Sequence, residues 1–215
     1  IASNNYTYIK MVIYISLGFC SVKKQMQNNN INQPTLPFDW LKINNINTIN
    51  ELLSNNFDDF LNNLEFVKDN KKFFVEKQID KISRIYKNSK YDIYFCHDFY
   101  DSDFSEQIDG VQNKYNRRIN RLYEILRSNE KIIFIRDDIF YNQITIDYQI
   151  INKFDNILKS INSEINYELI WIINPKKKKF MVNKYKVQSN IKIIIDRNKP
   201  INWWHDEIDW NNIFN

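Results

Sequence analysis

The chain has 215 residues, 43% hydrophobic, 15% aromatic and 26% charged, which suits one globular domain with a core that needs no covalent staples and excludes wholesale disorder. Its formal net charge of +4 is small and spread along the chain, so nucleic acid is not an expected partner. Two cysteines, Cys20 and Cys96, are too few for a secreted disulfide framework.

Residues 1–10 read as a polar N-terminal extension, and residues 11–215 as a single α/β domain. "VIYISL" (12–17) is the first short apolar run rich in β-branched and aromatic residues, the pattern of a strand buried on both faces. With the preceding Lys10 it imitates a secretory core or lipoprotein box, but Phe19 is too large for the position before such a cysteine and no small-residue cleavage site follows. A reducing, cytoplasmic setting is therefore expected. No window approaches the ~20 apolar residues of a membrane span, so no membrane partner is expected.

Cys20 comes next, before a stretch with helical character. It reads either as a small buried hydrophobe or as a nucleophile whose thiol a helix start would acidify. "PFDW" (37–40) is a proline-led turn whose Phe38 and Trp40 are expected to pack beside the first strand, leaving Asp39 to cap or orient a neighbour. Residues 46–64 place Ile49, Leu52, Leu53, Phe57, Phe60, Leu61 and Leu64 on one helical face. Residues 65–77 suit a hairpin insertion turning at Asp69-Asn70.

"YDIYFC" (91–96) is a second buried-strand run, followed by His97 and Asp98. Residues 111–128 form an amphipathic helix whose Lys114, Arg117, Arg118 and Arg121 align opposite the apolar stripe, as a solvated face or a grip for phosphate or an acidic group. "KIIFI" (131–135) is a third strand, ending in Arg136, Asp137 and Asp138; a helix is expected over 146–161, and strands over 167–173 and 191–196. "KKKK" (176–179) reads as a solubilising loop leading to an extra edge strand. The tryptophan-rich "NWWHDEIDWNNIF" (202–214) is expected to clamp onto the body through aromatic burial.

Strands alternating with helices predict a mostly parallel open sheet with helices on both faces. In such a sheet ligands sit beyond the carboxyl ends of the strands. Cys20, His97-Asp98, Arg136-Asp137-Asp138, Asn174 and Asp196-Arg197 fall there. A thiol and an imidazole can act as nucleophile and base, and the chain offers His97 or His205 as the base. Contact between Cys20 and His97 is expected only if their two strands are near neighbours in one sheet. The cysteines and histidines lack zinc-ligand spacing, so neither a metal nor a cofactor is expected.

Five blocks, "YISLGFCSVKKQM", "LPFDWLKI", "NNFDDFL", "YFCHDF" and "KYNRRINRLYEILRSNEKIIFIRDD", resemble in order and spacing those of the DUF1796 family, described as papain-like cysteine peptidases, over most of residues 12–140. The resemblance implies a nucleophile at Cys20, a base at His97, the Pro-Phe-Asp-Trp aspartate at Asp39 and the post-strand arginine at Arg136. It also implies a cysteine at the start of a helix and a histidine on an antiparallel sheet, which conflicts with the parallel pattern. "SLGFC" is one residue shorter than the family's block and lacks an asparagine before the cysteine.

The first reading is thus a cysteine hydrolase with Cys20, His97 and Asp39 or Asp98 as its catalytic group. Arg136, Asp137, Arg117 and Arg118 would bind an acidic or glycan-linked substrate. The alternative is a transferase for a sugar or nucleotide-bearing substrate, held by Asp98, Arg136, Asp137, Asp196 and Arg197; with only Gly18 and Gly110 the chain has no glycine-rich phosphate loop. A polyanion-binding module using the Lys114–Arg121 face is the third.

Overall fold

A computed structural model describes residues 12–70, 82–100, 102–138, 144–146, 148–173, 180–182, 189–196 and 202–214. The expected extension at 1–10, the second arm of the 65–77 hairpin, Asn174, the lysines 176–179 and Arg197 lie outside these residues.

The five apolar runs all form strands, but not in one sheet. Four of them, β1 (Val12–Ser16), β6 (Lys131–Asp137), β8 (Tyr167–Ile173) and β10 (Ile191–Ile195), make a parallel sheet in the order β1-β6-β8-β10. The fifth, β5 (Ile93–Tyr100), belongs to a separate antiparallel sheet of order β2-β5-β4-β3, with β2 (Leu41–Ile43), β3 (Leu64–Asn70) and β4 (Ser83–Asn88). The architecture is therefore mixed α/β with two main sheets, a correction to the single mostly parallel sheet. A short parallel pair joins β7 (Ile144–Ile146) and β9 (Phe180–Val182).

The helices are α1 (Cys20–Asn28), α2 (Ile46–Ser54), α3 (Phe104–Leu126), α4 (Tyr148–Ile161) and α5 (Trp210–Phe214). The expected helix over 46–64 stops at Ser54, because Asn56, Phe57 and Asp59 take positive φ of 54°, 62° and 56° and turn the chain. Phe57 and Phe60 still reach the core. The turn expected at Asp69-Asn70 is absent, since β3 pairs with β4 through Asn70.

Residues of β6 alternate between two apolar clusters, as a strand covered on both faces requires. Ile132 and Phe134 join Phe154 and Leu158 of α4, and the same cluster continues into the second sheet through Ile43, Phe95 and Phe99. Ile133 and Ile135 join Val22 and Met26 of α1 with Trp210 and Ile213 of α5. Tyr115 of α3 seats edge-on against Phe95 and Phe60, at 5.7 and 5.1 Å, fixing that helix to β5. Among the described residues no helix is long and apolar enough to cross a membrane.

Candidate active site

The β1–α1 connection brings the two sheets together. Gly18 adopts φ +89°, and a Cβ there would stand 2.6 Å from Ile43 Cβ, so only glycine lets this turn lie against β2. The Ile43 amide donates to the Gly18 carbonyl at 2.9 Å. Arg136, 1% exposed, donates from Nη1 to the Leu17 carbonyl at 2.7 Å and from Nη2 to the Ile43 carbonyl at 2.9 Å. Its Nη2 also lies 2.7 Å from Asp138, whose other oxygen accepts from Trp171 Nε1 at 2.6 Å. A charged brace thus spans β1, β2 and β6.

Immediately after this junction, Phe19 is the extended N-cap of α1 and Cys20 its first helical residue. Cys20 Sγ lies 3.5 Å from His97 Nε2, a hydrogen-bond distance for sulfur. The contact does not need adjacent strands in one sheet: the sulfur comes from a helix start beside the parallel sheet, the imidazole from within β5 of the antiparallel one. The condition of neighbouring strands is thereby corrected.

His97 sits inside β5 rather than beyond its end. Between the pairs Arg84↔Phe99 and Tyr86↔Phe95, β4 advances two residues and β5 four, so Cys96, His97 and Asp98 form a bulge. A bulge re-aims side chains that strict alternation would direct elsewhere. Here it leaves Cys96 and His97 half-buried while Phe95 and Phe99 stay in the core. Trp40, the last residue of the Pro-Phe-Asp-Trp turn, packs edge-on to the His97 ring at 5.4 Å. Phe38 of that turn stacks on Phe57, in the same core cluster as Ile15 of β1.

Burial is the main influence on both side chains. It pushes the Cys20 thiol well above its ordinary value, with Cys96, Asp98 and Asp39 acting the same way and a main-chain hydrogen bond opposing them. It lowers the His97 imidazole to about 4, aided by the Lys114 charge and opposed by Asp98. The resting pair is a neutral thiol beside a neutral imidazole.

The expected carboxylate partners are engaged elsewhere. Asp98 meets Lys114 Nζ at 2.5 Å and accepts from Tyr115 at 2.9 Å, tying β5 to α3. Asp39 accepts from the Leu36 amide at 2.8 Å and pairs with Lys23 of α1 at 3.3 Å; burial raises its pKa and Lys23 opposes the rise. Trp40, expected only as a packing residue, is in ring contact with the imidazole.

The expected substrate-binding groups also separate. Arg136 is buried against main-chain carbonyls and Asp138. Asp137, 1% exposed, accepts the Ser21 hydroxyl and lies 2.7 Å from His205 Nδ1. The cationic face of α3 divides: Lys114 turns to Asp98, Arg118 lies over the Tyr115 ring at 5.2 Å, Arg121 donates to the Thr35 carbonyl at 2.8 Å and Arg117 is exposed. Arg118 Nη1 is buried with no hydrogen-bond partner among the described residues. Ser21 and the buried placement of His205 were missed; the three-tryptophan run around His205 signalled burial, but nothing signalled its target.

Residues 12–177 match a family model described as "Putative papain-like cysteine peptidase (DUF1796)". The chain belongs to the DUF1796 family. A relative over nearly the whole length is "Uncharacterized protein R408" of Acanthamoeba polyphaga mimivirus, 34% identical over 217 residues, covering 94% of this chain and 96% of the relative. No solved structure matches this DUF1796 chain. The family description and the geometry meet in one respect: a cysteine opens a helix and a histidine of an antiparallel sheet touches it.

Proposed function

We propose that this protein is a cysteine hydrolase of the peptidase type, with Cys20 as nucleophile and His97 as general base. The observation that carries the reading is the 3.5 Å contact between Cys20 Sγ and His97 Nε2 at the first residue of a helix. His97 Nε2 takes the thiol proton as sulfur attacks an acyl carbon. The imidazolium then gives that proton to the departing amine, and water hydrolyses the thioester with His97 again as base. The amino end of α1 favours the negative sulfur that forms during attack. Trp40 holds the ring of the base. Asp39 fixes α1 through Lys23, and Asp98 fixes β5 through Lys114 and Tyr115.

An acidic group of the substrate would lie toward Arg118 and Lys114. Lys114 is close enough to His97 to influence its protonation, and Arg118 Nη1 still has a hydrogen bond to give. A reducing cytoplasm suits two free thiols. The transferase alternative loses support from the residues it needs, because Asp98, Arg136 and Asp137 all face internal partners.

The test is the rate at which iodoacetamide alkylates Cys20, read by mass spectrometry of its peptide. His97→Ala should slow the reaction by about 10²-fold near neutral pH, the usual size of a positioned base's contribution. Equal rates in wild type and His97→Ala would remove the reading.

A further inference from the structure

One buried polar cluster plays no part in the chemistry above. Ser21 follows Cys20 in the first turn of α1, and its hydroxyl donates to Asp137 Oδ2 at the end of β6. His205 Nδ1 lies 2.7 Å from that same oxygen. The cluster is sealed: Ser21 and His205 are 0% exposed and Asp137 1%. His205 adopts φ +55°, a conformation that costs energy for a residue other than glycine and persists where its surroundings enforce it.

Those surroundings are the segment 202–214, beyond the residues that match the family model. Gln25 of α1 donates to the Trp204 carbonyl at 2.6 Å and to Asp206 at 2.9 Å. Trp210 Nε1 donates to the His205 carbonyl at 2.7 Å, and Tyr14 of β1 donates to the Phe214 carbonyl at 2.5 Å. The segment therefore grips α1 and β1 and delivers one imidazole to Asp137.

We infer that His205 and Asp137 are positioning residues: together they hold the first turn of α1, and with it the Cys20 sulfur, at its distance from His97. A buried carboxylate needs partners on its oxygens, and Asp137 Oδ2 takes the Ser21 hydroxyl and lies 2.7 Å from His205 Nδ1. Without His205 the carboxylate loses the imidazole beside Oδ2, and the anchor that holds Ser21 loosens. Contact between sulfur and imidazole already stands at 3.5 Å, so a displacement of an ångström separates them. This inference rests on the cysteine hydrolase reading for its meaning, but its observable is Cys20 reactivity alone.

The experiment follows Cys20 alkylation in the full chain from pH 5 to 10, at a temperature where circular dichroism shows every variant folded. His205→Ala should slow alkylation about tenfold at neutral pH. His205→Asn should restore most of the rate, because its amide nitrogen stands where Nδ1 stands and asparagine tolerates positive φ. If the alanine protein does not fold, His205→Gln takes its place: its amide reaches toward the Nε2 position, so it should react more slowly than His205→Asn. A folded His205→Ala with the wild-type profile, or His205→Gln equal to His205→Asn, overturns the inference. His97→Ala measured alongside separates the two claims. Slowing by His97→Ala alone leaves the hydrolase standing without the positioning role, and slowing by His205→Ala alone overturns both, because such an effect does not pass through His97.

Discussion

The parallel sheet presents Cys20 by regular means, a strand, a tight glycine turn and a helix start, whereas the antiparallel sheet presents His97 through a break in its own regularity, the bulge at residues 96–98. One partner is placed by the ordinary exit of a β-strand and the other by an exception to strand alternation. The two routes meet because Gly18 and Arg136 fasten the β1–α1 turn to β2, and β2 pairs directly with β5. The site is thus a property of the junction between the sheets more than of either sheet.

The largest expected effect comes from removing the charged brace. Arg136→Met leaves the Leu17 and Ile43 carbonyls and the Asp138 carboxylate, already raised by burial, without their guanidinium, and should destabilise the protein by about 3–5 kcal/mol in urea denaturation. Breaking the turn itself should cost less. Gly18→Ala forces a side chain into φ +89° against Ile43 and should cost about 2 kcal/mol with a fall in Cys20 alkylation. Gly110→Ala, in the middle of α3 with no atom within 4 Å of the added carbon, should instead stabilise by up to about 1 kcal/mol and leave alkylation unchanged.

A smaller effect distinguishes the histidine half by pH. His97 is lowered to about 4 in the folded protein, against 6.5 for an exposed histidine, so the unfolded chain binds more protons between those values. Stability from this group is complete above about pH 6.5 and is lost as pH falls through about 4, a change of about 2 kcal/mol for a half-buried ring. Urea titrations from pH 7 to 4 should show that slope in wild type and a flatter one in His97→Gln.

Local pattern revealed the five apolar strands, the apolar faces of α2, α3 and α4, and the two residues in contact at the site. It could not reveal which strands pair, because pairing depends on residues far apart in sequence. All of the antiparallel sheet lies between β1 and β6 in the chain, so reading strands in order merged two sheets into one. β2 has three residues, β3 keeps most of its side chains exposed, and β4 carries charged residues, so none gives a sustained apolar run. The partners of Arg136, Asp137 and Asp98 come from α1, α3, β2 and residues 202–214, which spacing along the chain does not encode.

The neutral resting state of the Cys20–His97 pair has a further consequence, for durability. Peroxides oxidise thiolate and scarcely thiol. On the proposed hydrolase reading, a sulfur that keeps its proton until an acyl group arrives would spend its idle time in the form least open to oxidation. Sustained ionisation would expose it continuously. On that reading burial at this site would trade some readiness to react for a long working life, with the imidazole supplying reactivity only at the moment of attack.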